Sequence, residues 1–502
     1  MSPKLREAGK IALAGLALAA CVPPLPLGPL IPLVLTAILG WLAPKSPGKA
    51  ALAGFLSGLV FHVAALHWIK NVMNVGPPVT IALGLALLIA YLSAFQALWA
   101  WLWSLCLRRD RVWAWPFLFT GIELVRGWGQ MSFPWLHVAY DFGSNLVLLQ
   151  GASIVGTYGT GLCIAATAAL LHSWRTGRLD KKWLAIPVAF WGAWVAFGAI
   201  RLAPPVAAAK MKVALIQPAI PQTRKWEESY FKAVVEKTFA TVGKIHEHVD
   251  LWVLPETALP DFWTWRPEVA ARFMVMSDTS GSDVVLGALE AIPDARQPMG
   301  AKILNSAFFL KPHQPALRYD KIRLVPFSER LPFDDLLPAL NQVKLGQSGF
   351  SAGDTVPVWN SGLPWSPAIC FEQVYGDFVR DAAIRGAKSM VVITNDGWFG
   401  NSLGPRQHWN IHRFHAVENG MSLVRAANTG ISGATDSRGI VLAQTEMMAD
   451  TAVVVSVPEG TPSFYARIGG WLDGLLWILA LVALLTLSWR PARTRRAPIG
   501  EC

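Results

Sequence analysis

Ala368-Ile-Cys370-Phe-Glu372 is a short apolar run that reaches a thiol and then a carboxylate two residues on. A run of this length, set among Pro and Gly, reads as a buried strand, and the surrounding segments repeat the pattern. Between about Met211 and Pro458 the strand candidates are Lys212–Gln217, Leu251–Leu254, Val284–Leu289, Ser306–Leu310, Ala368–Phe371, Met390–Thr394, Ser422–Ala426 and Ala452–Val457. Helix-like stretches lie between them, including Tyr230–His246 and Gln407–Glu418. This part of the chain is therefore expected to be a soluble α/β domain, with no internal repeat and no low-complexity linker.

Outside that block the chain changes solvent. Of its 502 residues 53% are hydrophobic and only 15% charged, which excludes a wholly soluble protein. Apolar runs at about 10–22, 26–43, 51–69, 79–107, 113–125, 147–172, 183–203 and 468–489 give eight candidate transmembrane helices. The first and fifth are short against the roughly 20 residues that a helix needs to cross the hydrocarbon, and the rest read as long enough. Basic residues test that count, because they should gather at every second junction. They do so at Lys4, Arg6 and Lys10, at Lys45 and Lys49, at Arg108, Arg109 and Arg111, at Arg175, Arg178, Lys181 and Lys182, and at Arg490, Arg493, Arg495 and Arg496.

Both termini are accordingly expected to be cytoplasmic and the long segment between spans seven and eight periplasmic. The domains are expected to be 1–208 (helices one to seven), 209–460 (the periplasmic α/β domain) and 461–502 (helix eight and a basic tail). The net charge of +11 then belongs to cytoplasmic loops, and no nucleic-acid partner is expected. The 24 tryptophans suit a headgroup layer, where an apolar ring and a wet N–H are both satisfied. Five cysteines, Cys21, Cys106, Cys163, Cys370 and Cys502, form no visible disulfide framework. Leu18-Ala-Ala-Cys21 has the look of a lipoprotein signal, but with seven further spans it reads as the first membrane helix.

Three strand-to-turn junctions in the α/β block carry reactive side chains. Leu251-Trp-Val-Leu-Pro-Glu256 ends on a carboxylate, Tyr319-Asp-Lys321-Ile-Arg-Leu-Val-Pro-Phe-Ser-Glu329 carries a lysine and a second carboxylate, and Cys370 supplies the thiol. A thiol is mostly protonated near neutral pH and needs a base or a positive neighbour to attack. Cys370 is therefore the nucleophile candidate and Glu256 the base, its pKa expected to be raised by burial or by Glu329 and Glu372. Lys321 is the cation expected to hold an oxyanion and to stabilise the thiolate.

These motifs resemble the Glu-Lys-Cys signature of the nitrilase superfamily, which implies an αββα sandwich. With Ile393-Thr-Asn-Asp396-Gly-Trp398-Phe-Gly, Arg406-Gln-His408, Arg425-Ala-Ala-Asn428-Thr-Gly430, Ile220-Pro-Gln222 with Trp226, and Glu123-Leu-Val-Arg126 with Phe133-Pro-Trp135, the resemblance narrows to bacterial apolipoprotein N-acyltransferases. It covers nearly the whole chain. It implies an inner-membrane enzyme that moves an acyl chain from a phospholipid, through a thioester on Cys370, to the diacylglyceryl-cysteine amine of an apolipoprotein. It implies no cofactor and no metal, and a monomer at work in the lipid bilayer. Glu329, Glu372, Trp226, Trp398, Phe371 and Asn395 are implied near the active site, Phe371 without a hydroxyl to offer.

Other features are weighed against simpler readings. Asp261-Phe-Trp-Thr-Trp265 and Leu331-Pro-Phe-Asp-Asp-Leu-Leu-Pro338 are expected to be mobile loops dipping into the bilayer, or else ordinary packing. His408, His412 and His415 share a helix face but lack the interposed Glu of a zinc-protease helix. Glu123 and Arg126 would pair with each other or face a cavity, with substrate contact slightly favoured. The rival functions are a membrane-tethered amidase or nitrilase-type hydrolase, with water as acceptor, and a ligand-binding receptor or transporter.

Overall fold

The computed structural model describes residues 2–75, 78–295, 297, 300–334, 336 and 349–489. The basic tail with Arg490, Arg493, Arg495 and Arg496, Cys502, and positions 335, 337 and 338 of the second loop lie outside the described residues.

The first 202 residues are helical: α1 (Pro3–Cys21), α2 (Ile31–Leu42), α3 (Pro47–Leu66), α4 (Pro78–Arg108), α5 (Trp115–Arg126), the one-turn α6 (Leu146–Leu149), α7 (Ala152–Arg175) and α8 (Ala185–Leu202). Among the described residues five segments are long and apolar enough to cross a membrane: Pro47–Val72, Ile81–Arg108, Ala152–Arg175, Lys181–Leu202 and Phe464–Ser488. The second apolar run, read as long enough to span, yields a helix of only 12 residues. Pro23, Pro24, Pro26 and Pro29 withhold N–H donors there, so the chain turns until Ile31. Cys21 is buried as the last residue of α1.

One break in α7 joins the two halves. Gly156 sits at φ 67°, off the helical path, with the Tyr465 ring filling the space a side chain would need. The freed Thr157 N–H and its hydroxyl donate to one Glu418 oxygen, at 2.6 and 2.7 Å. An amide left bare at this buried point would cost a few kcal/mol, about 1–3.

The α/β half has twelve strands among the described residues: β1 (Ala209–Gln217), β2 (Leu251–Val253), β3 (Asp283–Pro293), β4 (Ala301–Leu310), β5 (Leu317–Asp320), β6 (Trp359–Asn360), β7 (Pro364–Ile369), β8 (Ser389–Thr394), β9 (Ser422–Ala427), β10 (Gly433–Thr435), β11 (Val441–Gln444) and β12 (Thr451–Pro458). They form two six-stranded sheets, ordered β12-β1-β2-β3-β4-β5 and β11-β10-β9-β8-β7-β6. The helices are α9 (Phe231–Val242), α10 (Pro267–Ser280), α11 (Gly376–Ile384) and α12 (Leu403–Asn419), followed by α13 (Phe464–Ser488).

The period-two pattern of β1 sorts its side chains into layers. Ala214 and Ile216 join Val235 of α9 and Phe273 of α10, whereas Val213 and Leu215 join Trp365, Met390 and Val424 of the other sheet. The result is helix, sheet, sheet, helix, with Phe309 and Trp365 meeting edge-on at 5.1 Å between the sheets. On the far side α12 is buried for most of its length and packs on α7. Finally, α13 packs on α5 and α7, and its Asp473 accepts from Arg380 of α11 at 2.9 Å.

Candidate active site

Three parallel strands in each sheet, β1-β2-β3 and β7-β8-β9, run so that the site residues follow strand ends. Such carboxyl ends, outside the sheet's own hydrogen bonds, are where loops can present side chains rigidly. Glu256 follows β2, Cys370 follows β7, Asn395 follows β8 and Lys321 follows β5. The chain around Glu256 is tightly seated: Thr257 has φ 50°, and β3 offers Gly287, where any side chain would strike the backbone of Glu256 and Thr257.

Glu256 is buried and fully engaged. One oxygen accepts from Asn305 Nδ2 at 2.8 Å and stands 3.9 Å from Lys321 Nζ. The other accepts the Asn395 N–H at 2.9 Å. Lys321 Nζ donates to Glu329 Oε1 at 2.7 Å, and Glu329 is fixed in turn by the Val325 N–H at 2.9 Å. Lys321 therefore lies between two carboxylates, with Asn305 reaching both.

Cys370 begins the turn after β7 with φ 54°, a left-handed conformation that costs a non-glycine residue about 1–3 kcal/mol. Glu372 holds that turn. Its carboxylate accepts from Ile369 N on one oxygen at 2.7 Å, and from Tyr319 Oη (2.7 Å), Ile322 N (2.7 Å) and Arg323 N (3.0 Å) on the other. Glu372 thus ties the chain before Cys370 to the chain around Lys321. Expected near the base, it lies in the same turn as Cys370, its carboxylate taken up by these four donors.

Electrostatics divides the groups. Burial pushes the Cys370 thiol well above its usual range, and the nearby Glu256 adds to that while Lys321 only partly opposes it. Lys321 favours the thiolate, but burial and Glu256 outweigh it and favour the protonated thiol. Burial also raises Glu256 above the ordinary carboxylate range, against Lys321 and with help from Glu329. Burial works against a charged Lys321, but Glu329 and Glu256 outweigh it and keep the cation. Together the three can take a proton from a thiol at the moment of attack and steady the anion formed.

Around them, Asn395 Nδ2 donates to Gln222 at 2.8 Å, and Asn428 reaches the Asn395 oxygen at 3.1 Å. Trp226 is 38% exposed and Trp398 half-buried. Neither indole N–H has a partner among the described residues. Phe371 turns to the membrane half, where its ring stacks on Trp135 at 5.9 Å and 10°. The Trp135 and Trp68 indoles both donate to Gln407 of α12, at 2.9 and 3.0 Å.

Lys225 is the residue the sequence did not single out. Flanked by Arg224 and Trp226 it reads as a solvated loop lysine, yet it is 2% exposed and donates to the Glu256 carbonyl at 3.1 Å. Burial pushes its pKa down, with Glu256 opposing.

The three histidines do not converge on one point. His408 Nδ1 bonds Asp396, itself ion-paired to Arg425; His412 Nδ1 bonds Gln373 and His415 Nδ1 bonds Glu418. Glu123 and Arg126 pair at 2.9 Å. Glu123 also bonds His137 and the Val138 N–H, while Arg126 donates to the Leu136 carbonyl, so the pair pins the segment after Phe133-Pro-Trp135 beside a cavity of about 60 Å³. In the first loop Trp263 stacks on Phe308 at 4.4 Å. That is packing rather than a free loop, because the ring buries its face on β4, and of the loop's three aromatic rings only Trp265 stays exposed.

A helical membrane half joined to a two-sheet α/β half is a composite class, and each half has its own family match. Residues 212–462 match the carbon-nitrogen hydrolase model, and residues 14–170 match the apolipoprotein N-acyltransferase N-terminal domain model. An apolipoprotein N-acyltransferase of Geobacter metallireducens is 33% identical over 91% of this chain and 90% of its own. One of Nitrosomonas europaea is 31% identical over 92% of each. An amidase crystal structure from Nesterenkonia sp. aligns with 54% of this chain and 98% of its own at 19% identity and a TM-score of 0.36. The chain belongs to the apolipoprotein N-acyltransferase family.

Proposed function

We propose that the protein transfers an acyl chain from a phospholipid to the α-amino group of the N-terminal diacylglyceryl-cysteine of apolipoproteins, the last step of lipoprotein maturation. Cys370 Sγ attacks the ester carbonyl, its proton passing to Glu256 and on to the departing lysophospholipid oxygen. A thioester results. The acceptor amine then attacks the thioester, Glu256 takes its proton, and Cys370 leaves and is reprotonated. Lys321 holds the oxyanion in both halves, with Glu329 fixing Lys321. Asn395 orients Glu256, Glu372 positions the Cys370 turn, Phe371 backs it, and Trp226 and Trp398 line the approach.

The observation that carries this reading is that a raised-pKa carboxylate, a retained cation and a strained cysteine follow the ends of β2, β5 and β7 and act on one another electrostatically. The same reading gives an inner-membrane monomer with eight spans, both termini cytoplasmic, 1–208 and 461–502 in or beside the membrane, and 209–460 periplasmic. Exposed Trp265, Phe333 and Leu336 suit the rim that meets lipid.

Intact-protein mass spectrometry after incubation with phospholipid tests it. An acyl-sized adduct on the native chain, absent from Cys370→Ala and discharged by a diacylglyceryl-cysteine peptide, is expected. Discharge by water alone would assign a hydrolase, and no adduct during active transfer would exclude the thioester.

A further inference from the structure

A cleft of about 470 Å³ opens between the segment that joins α3 to α4 and the start of α12. His67, Lys70 and Asn71 form one wall and Asn401, Ser402 and Arg406 the other, and no Asp or Glu among the described residues lines it. Lys70 and Arg406 are exposed, and neither has a carboxylate in ion-pair range among the described residues. Arg266, Arg323, Arg380 and Arg385 of the same half each hold one. Two cations that face a shared space without an acid repel each other, and an anion between them relieves that.

The cleft's position says which anion. It lies where the α3–α4 hairpin leaves its apolar stretches, the depth at which a bilayer presents its headgroups. It is also joined to the candidate active site. Asn71 Nδ2 donates to the Phe399 carbonyl at 2.7 Å and Trp68 meets the Phe399 ring edge-on at 4.7 Å. Phe399 ends the turn Asp396–Phe399 that directly follows Asn395, the residue whose N–H holds Glu256.

We infer that this cleft binds the phosphate of the donor phospholipid, Arg406 through its planar fork and Lys70 as a point charge, with the neutral donors Asn71, Asn401 and Ser402 around it. In a phospholipid the ester carbonyls stand only a few bonds from the phosphate. A phosphate fixed beside the 396–399 turn therefore sets which ester reaches Cys370. Guanidinium and ammonium groups bind phosphate by charge-assisted hydrogen bonds, the strong kind.

The inference rests on the acyltransferase reading, and two donors keep their failures apart. Purified full-length enzyme and the variant Lys70→Gln/Arg406→Gln are assayed in detergent micelles for acyl loading from phosphatidylethanolamine and from 4-nitrophenyl palmitate, which has no phosphate. The expected result is a KM for phosphatidylethanolamine raised about tenfold in the variant with little change in kcat, and an unchanged KM for the nitrophenyl ester. Inorganic phosphate competing with phosphatidylethanolamine alone would show that the cleft also takes free phosphate. Equal KM values in native and variant enzyme, or equal losses with both donors, overturn the headgroup site. Native enzyme loaded by neither donor would overturn the acyltransferase reading instead.

Discussion

Replacing Lys321 with Met removes the cation that stands 3.9 Å from one Glu256 oxygen and 2.7 Å from Glu329. At an effective dielectric of about 20, a unit charge at that separation stabilises the Glu256 carboxylate by about 4 kcal/mol. Its loss should therefore raise the pKa of Glu256. Glu329 also raises the pKa of Glu256, and without the lysine no cation between the two carboxylates offsets that repulsion. A carboxylate must be ionised to accept a proton. The rate therefore climbs as pH rises through the Glu256 pKa, and the acid limb of Lys321→Met should move to higher pH. The oxyanion donor is lost as well, which costs about a hundredfold or more in rate at every pH.

The assay is single-turnover thioester formation against pH, read by intact mass. The double variant Lys321→Met/Glu329→Gln separates the two effects: with the second carboxylate neutral, the acid limb should return toward its native position while the rate stays low. It also guards against misfolding, because Glu329 is no longer left charged and unpaired in a buried site. An acid limb unmoved in a well-folded Lys321→Met protein would refute the reasoning.

Three further outcomes are expected. Lys225→Met should shift the acid limb of kcat/KM upward, since Glu256 loses a neighbouring cation, and Lys225→Arg should restore it; an unmoved limb would leave Lys225 only its bond to the Glu256 carbonyl. Glu372→Ala strands four donors at about 1–3 kcal/mol each before relaxation, so the melting temperature should fall and thioester loading drop tenfold or more, with Glu372→Gln between. Gly156→Ala meets both an unfavourable φ and the Tyr465 ring, so thermal stability in detergent should fall, and Tyr465→Ala in the same chain should recover part of the loss.

What could be read from the sequence depended on whether a signal was local. All eight strand candidates carry strands, because apolar β-branched runs such as Met390–Thr394 are buried on both faces. The strands left out, β5, β6, β10 and β11, have only two to four residues, too few to show a period. Of the helices, α10 and α11 went unread because their apolar positions are interleaved with charge. At the site, Glu256 and Cys370 stand out because each ends an apolar run, and Lys321 because it sits in the Tyr319-Asp-Lys stretch that leads to Val-Pro-Phe-Ser-Glu329. Lys225 had no such marker: its burial comes from the fold around Glu256, not from its own neighbours. Nor could a motif show that Glu372 would bind the Ile322 and Arg323 amides, since those two donors lie about 50 residues away in the chain.

The seal on α7 bears on how the protein is made. The amide at Thr157 finds its acceptor in a side chain 261 residues further along the chain. During synthesis, therefore, an apolar helix is finished long before the group that completes it exists. Until α12 folds, the ribosome-bound intermediate carries a membrane segment with an open polar joint, one that water, lipid headgroups or a chaperone must cover in the meantime. A chain cut short before Glu418 never closes that joint. The contact between α7 and α12 at this point is thus completed only after both halves of the chain have been made.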